Sequence, residues 1–85
     1  MPTISRFFGI IIKMEYNEHN PPHFHAEYNG ERAAFDFEGN IISGNLPLKQ
    51  IRAVQVWTDI HVDELAANWE ISRAQGELIY ILPLR

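Results

Sequence analysis

From Phe7 to Tyr16 the chain alternates at a period of two. Phe8, Ile10, Ile12, Met14 and Tyr16 fall on one side, and Phe7, Gly9, Ile11, Lys13 and Glu15 on the other. β-Branched and aromatic residues dominate, so the segment predicts one strand with the first set facing a core. Asn17 to Pro22 breaks the pattern with turn-forming Asn and Pro, and each proline removes a backbone donor. The alternation returns at His23–Tyr28, with Phe24, Ala26 and Tyr28 inward and His23, His25 and Glu27 outward. Asn29-Gly30 is a strong two-residue hairpin signal, because both turn positions need positive φ. Residues 31–37 then predict the return strand, with Ala33, Phe35 and Phe37 inward and Arg32, Ala34 and Asp36 outward. Glu38-Gly39-Asn40 reads as a turn before a short strand at Ile41-Ile42-Ser43.

Beyond Gly44-Asn45-Leu46-Pro47 the period changes to that of a helix. Ile51, Val54, Trp57, His61, Leu65 and Trp69 form a stripe at spacings of three and four, widened by Ala53, Val56 and Ile60. The stripe extends over residues 48–74 as one long helix or as two broken near His61-Val62-Asp63. Asn45 and Asp63 are candidate caps, and Gly76 is the expected stop. The closing segment, Leu78-Ile79-Tyr80-Ile81-Leu82-Pro83-Leu84, is too apolar to stay in water. It is expected to pack on its own domain, extend a sheet edge or join a second copy as a homodimer.

Strands followed by helix define an α+β domain: a three- to four-stranded antiparallel meander with one face covered by one long or two shorter helices, plus the apolar tail. The 85 residues are read as a single domain, 1–85. The absence of cysteine excludes disulfides, thiolate metal sites and cysteine nucleophiles. The apolar stretch near the start is too short to span a bilayer and lacks a cleavage pattern, so the expectation is a cytoplasmic protein with no membrane association.

Charge sharpens the picture of the outer face. The net charge of −4 argues against nonspecific nucleic-acid binding. The acids gather between Glu15 and Glu38, whereas Arg6, Lys13, Lys49 and Arg52 form small basic spots able to hold a phosphate or a short RNA. Three of the four histidines lie within His19-Asn20-Pro21-Pro22-His23-Phe24-His25. The i, i+2 pair on a strand puts both imidazoles on one face. Two chemistries follow. In the first, His23 and His25 act as acid and base of a metal-independent ribonuclease, with Lys13 or Arg32 as the cation and no cofactor. In the alternative, His19, His23 and His25 hold a divalent transition metal, and the face serves a metal-binding or non-catalytic interaction module. A purely structural role is the bland reading, since histidine nitrogens can satisfy loop carbonyls.

Met1-Pro2-Thr3-Ile4-Ser5-Arg6-Phe7-Phe8-Gly9-Ile10, then Glu18-His19-Asn20-Pro21-Pro22-His23-Phe24-His25, then Trp57 with His61, Glu64-Leu65 and Asn68-Trp69 occur together and in this order. Over nearly the whole chain these residues resemble a family of small bacterial proteins, domain of unknown function 4160. The resemblance implies a small partner protein encoded by a neighbouring gene, in an arrangement like a toxin–antitoxin pair. It makes His19, His23 and His25 the natural candidates for activity.

Overall fold

A computed structural model describes residues 2–16 and 18–85. Five strands form an antiparallel meander in the order β1-β2-β3-β4-β5: β1 Thr3–Phe7, β2 Ile10–Lys13, β3 His23–Tyr28, β4 Glu31–Asp36 and β5 Ile41–Gly44. Two helices follow, α1 Leu48–Ile60 and α2 Val62–Arg73. The α+β meander is as the sequence predicts. Its strand count is five rather than three or four, because the single strand expected over residues 7–16 is a hairpin.

That hairpin turns at Phe8-Gly9, with Phe7 opposite Ile10. Both turn residues have positive φ, 52° and 78°. The β3–β4 hairpin makes the same kind of turn with Asn29 at 48° and Gly30 at 82°. Asn and Gly adopt that conformation readily; Phe in it costs about 1 kcal/mol. The turn also corrects the expected core. Phe7 is buried, Phe8 stands 62 % exposed and Tyr16 is exposed, while Ile10, Ile12 and Met14 are buried as expected. Across a two-residue turn, paired residues share a face, so Phe7 joins Ile10 and Phe8 is expelled to the tip.

Phe24 lies at the centre of the core, stacked on Phe35 and edge-on to Trp57. Val54, Trp57, Leu65 and Trp69 of the helical stripe are buried against the sheet, whereas Val56 and Ile60 are exposed. The helix breaks at His61, giving the two-helix alternative. Pro47 and His61 occupy the two N-cap positions, and neither Asn45 nor Asp63 caps by side chain. After Arg73 the Gly76 amide donates to the Ile71 carbonyl and the Gln75 amide to that of Ser72. The left-handed residue is Gln75, at φ 58°, one position before the expected glycine.

The tail packs on its own domain. It covers the outer edge of β1: the Ile81 amide donates to the Ile4 carbonyl and the Ser5 hydroxyl to the Ile81 carbonyl. Trp57 Nε1–H donates to the Leu82 carbonyl, and the Asn68 amide group both donates to and accepts from the backbone of Ile79. Ile81 is buried; Ile79, Tyr80 and Leu82 face outward. Among the described residues no helix is long and apolar enough to cross a membrane.

Asp36, expected on the polar face, ends β4 and organises the next turn. Its carboxylate accepts from the amides of Glu38 and Asn40 and from the Asn40 side chain. Burial works to raise its pKa, but the hydrogen bonds from Asn40, Glu38 and Gly39 outweigh it and hold the group below its ordinary value of 3.8. The folded-state pKa is depressed. The contribution is therefore fully present above the unfolded value and is lost as pH falls through the folded one. Asp36→Ala is expected to lower stability by about 1 kcal/mol at neutral pH, as when a capping side chain is removed. Denaturant midpoints of parent and variant should converge below the ordinary value of 3.8; a gap independent of pH would contradict the assignment.

Candidate functional site

The outer face of the sheet is built by register. Lys13 lies opposite His25 on β3, and Ile11 opposite Glu27, which in turn faces Arg32 on β4. Phe24 and Ala26 are locked in the core, so strand alternation forces His23, His25 and Glu27 outward together. Glu15 and Glu18, which precede β3 in the chain, stand beside the histidines.

His23 and His25 meet edge to face with ring centroids 5.3 Å apart. Glu18, His23 and His25 each offer a ligand atom, and these atoms all lie within 4.8 Å of one another. The Pro21 carbonyl lies 2.8 Å from His23 Nδ1, which must donate to it. In the neutral tautomer this contact selects, Nε2 carries the free lone pair. The Asn20–Pro21 peptide in this loop is cis. On its other side the His23 ring packs against Trp69 of α2 at 5.5 Å.

His25 carries the sharpest feature. Its Nε2 is buried and has no hydrogen-bond partner among the described residues. It faces Glu15 Oε1 at 3.9 Å and Glu18 Oε1 at 4.0 Å, too far for hydrogen bonds. Burial pushes the His25 imidazole below its ordinary value of 6.5. Arg32 and His23 push the same way, against the opposing pull of Glu15 and Glu27. The shift favours the neutral ring. Glu15 is held below its ordinary 4.5 by hydrogen bonding with the adjoining Glu18 carboxyl, against burial, and then by Arg32 and His25.

The two predicted cations are already engaged. Lys13 Nζ is 3.1 Å from Glu27 Oε1, and Arg32 Nη2 donates to Glu15 Oε1 at 2.6 Å, with its Nε 3.9 Å from Glu27. His19 is exposed on the loop and is not part of the cluster with His23 and His25. Glu18 is, although sequence reasoning selected His19. The only signal for Glu18 was its place beside His19 in a run of acids and histidines, and loop geometry decides which neighbour turns inward. Asn17, where the expected loop begins, lies outside the described residues. His61 packs on Trp57 at 5.6 Å and pairs with Glu64 at 2.6 Å, a structural role for the fourth histidine.

Fold and face together define a small two-layer α+β domain with a half-buried histidine–carboxylate cluster on the outward side of β3. The chain belongs to the family described as Domain of unknown function (DUF4160), whose model matches residues 9–70. No curated protein and no solved structure matches it.

Proposed function

We propose that this domain binds a divalent transition metal through Glu18, His23 and His25, with Glu15 beside the ion. The observation that carries the reading is the buried, unpartnered Nε2 of His25, aimed between two carboxylates. A buried polar nitrogen without a partner is costly, and a neutral imidazole is the form that ligates metal. The separations of 3.9 and 4.0 Å also suit an intervening ion, since zinc's bonds to imidazole nitrogen and carboxylate oxygen are each about 2.0–2.2 Å. Two imidazoles and one carboxylate form a donor set that suits zinc or ferrous iron and leaves positions open for water or substrate. The Pro21 carbonyl on His23 supplies the outer contact that orients such a ligand, and Arg32 holds Glu15 in place beside the cluster.

The metal-independent ribonuclease reading draws less support from this geometry. It needs a cation free to meet a phosphate, whereas Lys13 and Arg32 are each paired with a carboxylate. Glu15, Glu18 and Glu27 would also repel the anion.

Titration of tag-free protein with cobalt(II), followed by its visible absorption and then by competition with zinc, tests the proposal. One equivalent should bind. His25→Ala, His23→Ala and Glu18→Ala should each weaken binding by about 100-fold or more, and His19→Ala should leave it unchanged. Equal binding by parent and His25→Ala, or no binding by the parent, would overturn it.

A further inference from the structure

We infer that the tip of the β1–β2 hairpin is a second binding site, independent of the metal cluster, for an unpaired nucleic-acid strand, with Phe8 stacking on a base and Arg6 and Lys49 meeting phosphates. The turn itself is the first observation. One protein makes the same two-residue turn twice, once with Asn29-Gly30 and once with Phe8-Gly9. At the first tip the residue suits the backbone. At the second, a large aromatic is held at φ 52° and yet is 62 % exposed, so it gains little burial in return. A residue unfavourable to both backbone and solvent points to a task at the surface.

The surroundings say what it would meet. Phe8 is shared by two grooves, one with Arg6 on the outer side of the hairpin and one with Lys49, Ile10 and Tyr28 on the helix side. Neither Arg6 nor Lys49 forms an ion pair among the described residues, in contrast to Lys13 and Arg32. Arg52 follows Lys49 by one helical turn, and the first acid of α1 is Asp59, near its far end. The acidic chain is thus segregated: carboxylates crowd the histidines, and unpaired cations surround the exposed ring. An aromatic platform flanked by free cations is the arrangement that takes single strands with little sequence preference. The adjoining groove beyond Gly9 holds Glu27 and Glu31 against one cation, Arg32, which is already paired with Glu15; this directs a polyanion across Arg6, Phe8 and Lys49 instead.

The test uses fluorescence anisotropy of labelled ten-residue oligo-U and oligo-dT at low salt, with adenosine monophosphate and an acidic peptide as competitors. The parent should bind both oligomers with the salt dependence of two phosphate contacts, a log–log slope of about −1.4, and Phe8→Trp should retain binding. Phe8→Asn should weaken binding by about 5- to 100-fold, the loss of one stacked base, while raising the melting temperature, because Asn-Gly suits the turn. Opposite signs separate loss of the platform from loss of the fold. Lys49→Glu should weaken binding and flatten the salt dependence. No binding by the parent, equal binding by Phe8→Asn, or displacement of the oligomer by the mononucleotide or the peptide at equal concentration would overturn the inference. Removing metal with a chelator should leave oligomer binding intact, so this result stands or falls apart from the metal reading.

Discussion

His25→Leu is expected to make the metal-free protein more stable by about 1 kcal/mol and to remove its response to metal. The imidazole carries a buried nitrogen without a partner, a condition that costs about 1–3 kcal/mol. Leucine is of similar size and has no polar atom to strand. With zinc at 100 times its dissociation constant the parent should gain about 2.7 kcal/mol, and the variant nothing. For a domain of this length that corresponds to a parent shift of roughly 10–20 °C. Scanning calorimetry with and without metal reads both effects. A variant less stable than the parent without metal would mean that His25 is a satisfied structural residue, and the case for ligation would fall with it.

The second large effect concerns the tail. Asn68 is 1 % exposed, and its side-chain amide makes both hydrogen bonds that a neighbouring strand would give Ile79, at 2.8 Å each. Asn68→Ala strands both backbone groups beside a new cavity, at an expected cost of about 2–4 kcal/mol. The consequence should spread along the tail, because the Ile81 amide and the Leu82 carbonyl are held by the next contacts, to Ile4 and Trp57. Hydrogen exchange at Ile81 and the denaturant midpoint together report it. An unchanged midpoint with Ile81 still protected would show that the tail is held by burial alone. A loosened tail would leave β1 as an open sheet edge, a surface prone to pairing with other chains.

The tail and the site also show how far residue patterns reach. The β3–β4 hairpin was legible because Asn-Gly and strict alternation act within a few residues. The outward grouping of His23, His25 and Glu27 followed from the same alternation, and the stripe from Ile51 to Trp69 followed from helical period. The β1–β2 turn was not legible. Phe7-Phe8-Gly9-Ile10 continues an apolar run, and a run that keeps its period on both sides of a turn looks like one strand. The structure shows that Gly9 reverses the chain there at the expense of an unfavourable Phe8.

The cluster marks the same boundary. By itself the sequence determined that two histidines share one solvent face, because their neighbours Phe24 and Ala26 must be buried. It also determined that an apolar tail must dock. Which acid joins the histidines, and which groups hold the tail, was decided only by tertiary structure. Glu18 rather than His19 joins the histidines; Lys13 is neutralised by Glu27 of the neighbouring strand, and Arg32 by Glu15 from the segment after β2. Such contacts depend on how separate segments come together in space, and local period carries no record of that.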